Sequence, residues 1–405
     1  MSYKGKSILI IGAGIFQTFA IKIAKDLGLN VCVIDYDEQA PGIRYASDFK
    51  KASTKNIIQA IKAAKYFHNK YKLDGVFTCG TDVSYTVAKI AQELRLPGVS
   101  EKTALKATNK GEMRKALKKA GIYVPEFGIV STLENAIKIT HKLGFPLVIK
   151  PVDNMGARGV RKISSLKELR LSWDEAYKNS YTKNIILEKY IPGKEVSIDT
   201  IVYKGKVHLI TIADRIISSS PYFIEKGHTI PSNLTKTEIK KAFEMASRGI
   251  KALGIKNGAS KFDMKISKNG PVIGEMTARL SGGFHSAMTE PLATGMNSIK
   301  AAIDISLGLP LDLKDITPRF NHAAVERSIY PPPGKIIEVK GIDKAKKLTG
   351  IADVVINIKK GGILKPLNSN IGKAGHIIGY GKTRKNAIKN VLYAVKEIQI
   401  KTIPI

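Results

Sequence analysis

Short, almost wholly apolar runs alternate with helical segments over about the first 100 residues, and this alternation restricts the possible folds more than any other feature. SILIIGAG (7–14) has the composition of a buried strand that enters a glycine turn, and VCVID (31–35) and DGVFTCG (74–80) resemble it. Apolar residues at helical spacing lie between these runs, at 16–28 and 56–67. The alternation predicts a doubly wound parallel sheet of the α/β class.

The pattern changes in the rest of the chain, which has 405 residues and is long enough for two or three domains. From residue 123 to about 310 we expect a mixed region with many antiparallel strands. These strands are PLVIK (146–150), NIILEKYI (184–191), EVSIDTIVY (195–203), KVHLITIAD (206–214) and a hairpin at 259–279. The last 70 residues predict short strands with glycine turns and an amphipathic helix at 384–398. The C-terminal region is therefore of the α+β class.

Composition restricts the possible partners and the cellular location. The net charge is +32, yet lysine is spread along the whole chain and aromatic residues make up only 7%, so a nucleic-acid groove is not favoured. The sequence has no run of about 18 apolar residues and no signal peptide pattern at its start, so we expect no membrane partner. The only two cysteines, Cys32 and Cys79, lie beside buried-strand patterns. They predict reduced, structural thiols in a cytoplasmic protein.

The glycine turn at 12–14 resembles part of a dinucleotide-binding fingerprint. Gly12 and Gly14 follow a strand, and Asp35 lies 21 residues after Gly14. The third glycine position holds Gln17, which crowds the packing of helix against strand that glycine permits. The turn is therefore interpreted as structural or as facing a substrate, with a bound dinucleotide as the alternative.

Two lysines lie where an anion would be favoured. Asn109 is a candidate N-cap with Glu112 completing a capping box, which places Lys110 at the first helical position, beside free backbone N–H groups. Lys150 ends the apolar run PLVIK, where a buried ammonium requires an anionic partner. Both positions predict contact with phosphate, although exposed lysines at helix starts are common.

Two glycine-containing loops extend this candidate nucleotide site. The loop at 153–160 has small residues and glycines that allow the backbone to fold over phosphates, and a tight hairpin turn is the alternative. LEKYIPGKE (187–195) joins two strands, so its extended backbone is suited to pair with an adenine edge. Glu195 is a candidate acceptor for ribose hydroxyls, or a solvated residue of an ordinary strand–turn–strand unit.

A pair of carboxylates is predicted on the hairpin at 259–279. Pro271 lacks the N–H that would close a two-residue turn at Asn269-Gly270, so we expect a three-residue loop at 268–270. This loop places Asp263 directly opposite Glu275 on one face. Like charges in that position repel unless a divalent cation, a shared proton or nearby lysines compensate.

Four residues outside the carboxylate pair complete the set of candidates. Arg279 lies next to the carboxylate pair and can stabilise a transferring phosphoryl group. The amides of Gly282 and Gly283 can approach an anionic substrate. His228, in EKGHTIPS, is a candidate for contact with the substrate, with a lone surface histidine as the alternative.

Taken together, these segments resemble the ATP-grasp superfamily. The resemblance runs in order through five motifs over about residues 1–310: TNKGEMRKALKKAGIYVPEF, FPLVIKPVDNMGARGV, ILEKYIPGKEVSID, GASKFDMK and VIGEMTARLSGG. The chain looks most similar to carboxylate–amine ligases of the L-amino-acid ligase kind, to carbamoyl-phosphate-synthase-like proteins and to the biotin carboxylase group.

The resemblance implies a fold, three domains and a role for each candidate residue. It implies an ATP-grasp fold with a Rossmann-like domain at 1–108, an ATP-grasp domain at 109–315 with a lid at about 123–190, and a small α+β domain at 316–405. Arg279 would be catalytic, and Asp263 and Glu275 would bind Mg²⁺ or Mn²⁺. The residues that would bind ATP are Lys110, Lys150, Gly156, Ala157, Gly159, Val160, Glu188, Lys189, Ile191 and Glu195.

Three positions depart from the pattern of the superfamily. Asp263 stands where the longer Glu is frequent, and Thr277 stands where Asn is usual, so a site for two metal ions is less expected. Met155 replaces a common serine of the lid and removes a hydroxyl near the γ-phosphate.

The expected activity is ATP-dependent ligation of a small carboxylate to an amine through an acyl phosphate. A carboxylase that uses carboxyphosphate is the alternative within the superfamily. A Rossmann NAD(P) oxidoreductase and a basic nucleic-acid-binding protein are the alternatives outside it. A homodimer is compatible with the sequence, which does not define the oligomeric state.

Overall fold

The computed structural model describes residues 2–218 and 221–405. Its N-terminal part is a parallel sheet with strand order β3-β2-β1-β4 and helices on both faces, which confirms the predicted α/β class. The sequence analysis missed the short strand β3. The elements are β1 (Ser7–Ile11), α1 (Ile15–Asp26), β2 (Asn30–Asp35), β3 (Asp48–Lys51), α2 (Ile57–Tyr71), β4 (Gly75–Phe77) and α3 (Ser84–Glu93).

Two consecutive helices, of which only the second was predicted, lead out of this sheet: α4 (Glu101–Thr108) and α5 (Lys110–Lys119). Asn109 caps α5 as expected, because its side chain accepts from two backbone N–H groups of the first turn. The predicted capping box is wrong. The N–H of Asn109 already donates to the carbonyl of Leu105 at 2.9 Å, so the Glu112 carboxylate accepts from Lys115 instead.

A separate antiparallel sheet with strand order β5-β8-β6-β7 follows, with α6 and α7 packed against it. We name residues 127–189 the lid layer. Leu147 and Leu187 of the sheet bury their side chains in one core with Leu169 and Trp173 of α7. The elements are β5 (Phe127–Val130), α6 (Leu133–Leu143), β6 (Leu147–Pro151), β7 (Arg161–Ile163), α7 (Leu166–Lys178) and β8 (Ile185–Lys189).

An antiparallel sheet of eight strands forms the centre of the molecule. Its first five strands come from the middle of the chain, and α8 packs on the hairpin β12–β13. The elements up to residue 306 are β9 (Lys194–Tyr203), β10 (Lys206–Ile217), β11 (Glu225–Ile230), α8 (Lys236–Leu253), β12 (Gly258–Ser267), β13 (Gly270–Thr277), a π-helical turn (His285–Thr289), α9 (Glu290–Thr294) and α10 (Ser298–Ser306).

The C-terminal region adds three strands to this central sheet, which has the order β13-β12-β9-β10-β11-β14-β18-β16. Residues on both sides of position 315 therefore share one sheet, and the division of the chain into three domains stays a prediction. The remaining elements are β14 (Ala323–Ile329), β15 (Gly334–Lys340), α11 (Ile342–Lys346), β16 (Ile351–Ile356), β17 (Ile363–Leu364), β18 (Gly375–Gly381), α12 (Arg384–Glu397) and β19 (Gln399–Ile403).

Alternating side chains of β1 connect the N-terminal sheet to the rest of the molecule. Ile8 and Ile10 pack with α1 and with Ile303 of α10, whereas Leu9 and Ile11 face the core formed with α2 and α3. The parallel sheet is thereby joined to the central sheet through α10. No helix among the described residues combines the length and the apolar composition needed to cross a bilayer.

Both cysteines are buried and free. Burial raises the pKa of the thiols of Cys32 and Cys79 to about 12, so neither thiol forms the reactive thiolate at neutral pH. The prediction of reduced, structural cysteines is confirmed for both positions.

Candidate active site

A cavity of about 420 Å³ lies between the lid layer, the central sheet and the N-terminal sheet. Its walls contain ten Lys or Arg side chains and six carboxylates, and this excess of cations suits a polyanionic ligand. All but one of the candidate site residues line it: Lys110, Lys150, Gly156, Ala157, Val160, Glu188, Lys189, Ile191, Glu195, His228, Asp263, Glu275, Arg279, Gly282 and Gly283.

Gly159 is the exception and serves the packing of the lid. It has φ of +67°, and a Cβ atom there would lie 3.0 Å from the Cα atom of Ala176 in α7. Glycine is therefore required for the close approach of the loop to α7, and no contact of Gly159 with a phosphate is indicated.

The two predicted phosphate lysines point into one end of the cavity, which we name the phosphate end. The Nζ atom of Lys110 donates to the carbonyl of Asn154 at 2.7 Å and lies 2.9 Å from the Glu275 carboxylate. The Nζ atom of Lys150 lies 2.5 Å from the Glu188 carboxylate. Each buried ammonium thus has one acidic partner and can also reach a ligand in the cavity.

Glu188 is fully buried between two cations. Its carboxylate accepts from Nε of Arg114 at 2.6 Å and from Lys150 on its other oxygen. Burial by itself would raise the pKa of Glu188, but the charges of Arg114 and Lys150 outweigh burial and lower the pKa to about 2. The side chain therefore holds the two cations in place. Because β8 lies between β5 and β6, an adenine would have to pair with the backbone beyond the end of this strand.

Arg114 is an organising residue that the sequence analysis missed. Besides Glu188, its guanidinium donates to the carbonyls of Ile273 at 3.0 Å and Gly274 at 2.7 Å, and it is almost completely buried. It thereby joins α5, the lid strand β8 and the hairpin strand β13. Its position four residues after Lys110, on the same face of α5, is the signal that would have identified it.

Lys189 has a structural role in this state of the protein. Its Nζ atom donates to the carbonyls of Leu143, Gly144 and Phe145 at 2.9–3.3 Å, at the C-terminal end of α6. A cation at this end of a helix satisfies free carbonyl groups and interacts favourably with the helix dipole. The ammonium of Lys189 is therefore engaged with the lid rather than with a base edge.

The carboxylate pair lies as predicted, with Asp263 directly opposite Glu275. The predicted three-residue loop is wrong, because the turn consists of Lys268 and Asn269 alone, closed by the pairing of Ser267 with Gly270. A β-bulge at Gly274 shifts the register by one residue, and this shift places Asp263 opposite Glu275.

Nearby cations compensate the repulsion within the pair, which was one of the alternatives left open. Asp263 lies 3.0 Å from Nη1 of Arg215 and 2.5 Å from Nζ of Lys261, and Glu275 contacts Lys110. Burial would raise the pKa of Glu275, but the charges of Lys110 and Lys261 lower it to about 2. Lys261 is two residues from Asp263 on the same face of β12, a spacing visible in the sequence.

The donor set fits a magnesium ion that is shared with a phosphate ligand. The contact of Asp263 with Arg215 lacks hydrogen-bond geometry, so its buried Oδ1 atom receives no hydrogen bond from residues 2–218 or 221–405. The buried Oγ1 atom of Thr277 likewise has no partner in these two ranges. Within the described residues no group of three or more His, Cys, Asp or Glu side chains forms a self-sufficient metal site. Two carboxylates completed by phosphate oxygens and water are a usual arrangement for Mg²⁺.

The loop of the lid layer brings the guanidinium of Arg158 to the cavity wall. Gly156 and Ala157 both adopt positive φ, +68° and +58°, which folds the loop back over the cavity. Arg158 donates from Nε to the carbonyl of Met155 at 3.0 Å, and its buried Nη2 atom has no hydrogen-bond partner in the described part of the chain. This buried donor supports a phosphate ligand beneath the loop.

Glu195 lines the cavity, and its carboxylate is 3.0 Å from Nζ of Lys265. Arg279 also lines the cavity, and its Nε atom donates to Oδ1 of Asp82 at 2.9 Å. Asp82 belongs to the N-terminal part of the chain, so this ion pair connects the N-terminal sheet to the catalytic candidate. The ribose contact of Glu195 and the catalytic role of Arg279 stay predictions.

The glycine pair forms a close contact between the N-terminal and central parts of the molecule. A Cβ atom at Gly282 would lie 3.0 Å from the carbonyl oxygen of Gly80, and Gly283 has φ of +62°. Only small residues allow the chain to turn at this point. We name residues 281–283 the glycine turn of the cavity.

His228 is buried, and the alternative of a lone surface histidine is wrong. Its Nε2 atom is 2.7 Å from the Thr289 hydroxyl, and its ring stacks on His285 at 5.1 Å. Burial lowers the pKa of His228 well below its usual value, and the adjacent His285 contributes to this shift. His228 therefore lines the cavity as a neutral imidazole.

The N-terminal glycine turn uses its polar groups within the protein. Asp35 accepts from the backbone N–H of Ala13 at 2.7 Å, and the buried Gln17 side chain donates to the carbonyl of Cys79. Gln17 also lies within 3.4 Å of where Cβ atoms on Gly12 and Gly14 would be. These contacts occupy the positions that a dinucleotide would need, which supports the structural interpretation of the turn.

Three family models match consecutive parts of the chain. An ATP-grasp N-terminal domain matches residues 21–98, an ATP-grasp domain matches residues 143–288, and the L-amino acid ligase C-terminal domain 2 matches residues 327–402. The three matches follow one another in the order expected for one enzyme architecture, and the motif-based resemblance is confirmed.

Individual proteins and structures are similar over most of the chain. An uncharacterized protein of Sinorhizobium fredii is 24% identical over 353 residues, which are 86% of this chain and 72% of that protein. The alanine–anticapsin ligase of Bacillus subtilis is 26% identical over 296 residues, 67% of this chain and 61% of the ligase. The structure of an L-amino acid ligase from Bacillus licheniformis has a TM-score of 0.85 at 23% identity, covering 98% of this chain and 99% of that one. The predicted fold is confirmed.

Proposed function

We propose, from the premise that this chain is an ATP-grasp enzyme, that it joins a small carboxylate to an amine with cleavage of ATP to ADP and phosphate. The observation that carries the proposal is the convergence of Lys110, Lys150, Asp263 and Glu275 on one cavity with an excess of cations. The similarity to an alanine–anticapsin ligase and to an L-amino acid ligase supports small-molecule substrates of this class.

The phosphate end positions the nucleotide. Lys110, Lys150 and the Nη2 atom of Arg158 bind the oxygens of the triphosphate, and the loop 154–160 covers them. The segment that follows β8, up to Ile191, pairs its backbone with the adenine edge. Glu195 accepts hydrogen bonds from the ribose hydroxyls.

The carboxylate substrate is activated where the phosphate end meets the glycine turn. A carboxylate is a poor electrophile, and phosphoryl transfer converts it to an acyl phosphate with a good leaving group. Asp263 and Glu275 would hold a Mg²⁺ ion, which when bound neutralises charge on the phosphates. Arg279 stabilises the charge on the transferring phosphoryl group, and the amides of the glycine turn hold the substrate oxygens.

The amine then attacks the activated carbonyl carbon, and phosphate leaves. The enzyme contributes mainly by holding the reactants at attack distance in a cavity closed by the lid layer. Burial of the neutral His228 in the same wall keeps this part of the cavity free of additional positive charge, which suits an incoming amine.

A coupled assay of ADP release tests the proposal. The common L-amino acids and simple amines are supplied in pairs, and we expect release that depends on both an acid and an amine. Lys150→Ala and Glu275→Ala should each abolish this dependence. Lys142→Ala removes an exposed lysine of α6 outside the cavity and serves as the matched control, with activity retained. Undiminished activity of the two cavity variants contradicts the proposal.

The same assay separates the competing functions. ADP release that requires bicarbonate and no other acid supports a carboxylase that uses carboxyphosphate. Tight NAD(P) binding without ATP binding supports an oxidoreductase. Steeply salt-dependent binding of RNA or DNA, indifferent to Glu275→Ala, supports a nucleic-acid-binding protein.

A further inference from the structure

A histidine from the C-terminal region lines the cavity and is oriented by a buried carboxylate. His376 lies on β18, and Glu326 and Ser328 lie on the same face of the neighbouring strand β14. The Nδ1 atom of His376 is 2.7 Å from Oε1 of Glu326, and the Ser328 hydroxyl donates to that same oxygen at 3.0 Å. All three residues are buried, so the orientation of the ring is fixed by the fold.

This contact determines which ring nitrogen can act on a ligand. The Glu326 carboxylate accepts a hydrogen bond from the Nδ1–H group of His376, so the proton stays on Nδ1 and the lone pair of the ring lies on Nε2. Nε2 has no hydrogen-bond partner within the described residues, and the ring forms part of the cavity wall. In many enzymes a histidine acts as the base through one ring nitrogen, while a neighbouring group holds the other nitrogen and orients the ring.

The other two histidines of the cavity differ in this respect. The Nε2 atom of His228 is 2.7 Å from Thr289, and the Nε2 atom of His285 is 2.9 Å from Thr211. Both rings are therefore fixed by threonine hydroxyls. Among the histidines that line the cavity, His376 alone combines a carboxylate on one nitrogen with a free second nitrogen in the part of the chain that the structure describes. We name these three histidines and Glu326 the histidine end of the cavity.

The free nitrogen belongs to a ring beside the glycine turn. Phe284 directly follows Gly283, and its ring packs edge-on against His376 with centroids 5.2 Å apart. The amides at 281–283 are the groups assigned to the activated substrate. An amine that approaches that substrate from the histidine end would therefore pass His376.

We propose that His376 is the general base that deprotonates the attacking amine and that Glu326 is its positioning residue; this inference rests on the proposed ligase function. The nitrogen lone pair of the amine forms the C–N bond, and the bond from the acyl carbon to the phosphate oxygen breaks. Of the two protons that an ammonium substrate loses, one passes to Nε2 of His376 and then to solvent. The other leaves on the released phosphate, and no oxidant or reductant is involved.

Hydroxylamine separates this role from all earlier steps. It is largely unprotonated at neutral pH and traps acyl phosphates as hydroxamates without needing a base. The probe reaction uses the amino-acid pair that gives most ADP with the wild-type protein, and hydroxylamine replaces the amine in the second arm. His376→Gln should lower kcat for amide formation by about 10²–10⁴-fold and leave hydroxamate formation unchanged. Glu326→Gln should lower amide formation to a smaller extent, again without changing hydroxamate formation.

His322→Gln is the matched control, because His322 is partly exposed and does not line the cavity. ATP-dependent thermal stabilisation verifies that each variant is folded, and Glu326→Gln carries the test if His376→Gln does not fold. Amide formation that survives both substitutions overturns the inference, as does an equal loss of amide and hydroxamate. If the wild-type protein forms neither product with any acid, the proposed function has failed instead.

Discussion

Two fully buried carboxylates of this protein titrate in opposite directions. At the phosphate end, Arg114 and Lys150 overcome the effect of burial and lower the pKa of Glu188 to about 2. Behind the histidine end, burial raises the pKa of Glu290 to about 8, and the nearby Asp199 adds to the shift. Glu290 directly follows Thr289, the hydrogen-bond partner of His228.

The difference shows that burial alone does not determine ionisation. A buried carboxylate stays charged where fixed cations or hydrogen-bond donors replace its hydration. The phosphate end therefore maintains separated charges that can be redistributed onto a triphosphate. The described residues supply no such cation to Glu290, so its carboxyl group favours the neutral form near pH 7.

Removing the cation that supports Glu188 should have the largest effect. Arg114→Met leaves Glu188 with Lys150 alone and leaves the carbonyls of Ile273 and Gly274 without their donor. We expect a loss of about 3–5 kcal/mol in the free energy of unfolding, because a buried charge and buried acceptors lose their partner. Urea denaturation measures this value.

Arg248→Met is the matched control for this substitution, because Arg248 makes one exposed hydrogen bond to Gly121. A loss for Arg114→Met no greater than that of the control would show that the phosphate end does not depend on compensating charge.

Removing a cation that faces the ligand should impair catalysis more than folding. Lys110→Met deletes the ammonium between Asn154 and Glu275. We expect kcat for ADP release to fall by about 10²–10³-fold, because one fixed charge at the transferring phosphate is lost. Hydroxamate formation should fall in parallel with amide formation, in contrast to His376→Gln. If Lys110→Met lowered amide formation without lowering hydroxamate formation, the assignment of phosphoryl transfer to the phosphate end would be contradicted.

The sequence predicted the phosphate end well, because its residues lie in short motifs. Lys110 follows a capping residue, Lys150 ends an apolar strand, and the opposition of Asp263 and Glu275 follows from one hairpin. The bulge at Gly274 was missed, and the carbonyls of Ile273 and Gly274 there accept hydrogen bonds from Arg114, a residue of the distant helix α5.

Of the histidine end, the sequence analysis identified His228 alone. His228, Glu326 and His376 come from three strands that become neighbours only in the folded central sheet. Their spacing of 98 and 50 residues carries no local periodicity. The capping box at Glu112 failed for a related reason, since the preceding helix α4 already satisfies the N–H group of Asn109.

The pH dependence of stability sharpens the contrast between the two carboxylates. The pKa of Glu290 rises from 4.5 to about 8 on folding, so between these values the folded state binds more protons than the unfolded state. The contribution of Glu290 to the free energy of unfolding is fully present below pH 4.5 and decreases as the pH rises towards 8. Glu290→Gln should remove this decrease. The free energy of unfolding of the variant should therefore rise relative to that of the wild type as the pH increases.

Urea denaturation of wild type and variant on both sides of this window measures the effect. Glu244→Gln, at an exposed position of α8, serves as the control and should follow the wild type. A Glu290→Gln variant whose stability declines with pH as steeply as the wild type would show that Glu290 is ionised in the folded protein.

The smallest effect is expected at Lys189, where the ammonium caps α6. Lys189→Met should reduce the stability of the lid layer by about 1 kcal/mol, because the carbonyls at the helix end lose a charged donor. Hydrogen exchange of α6 amides measures this change. The affinity for ATP should remain close to that of the wild type. A large loss of affinity would indicate that Lys189 binds the adenine directly.

A crystal structure with a non-hydrolysable ATP analogue and Mg²⁺ tests the central claim most directly. We predict triphosphate oxygens within about 3 Å of the Nζ atoms of Lys110 and Lys150, and a metal ion bound between the phosphates and the carboxylates of Asp263 and Glu275. A nucleotide bound elsewhere, or a metal ion that contacts neither carboxylate, would contradict the account.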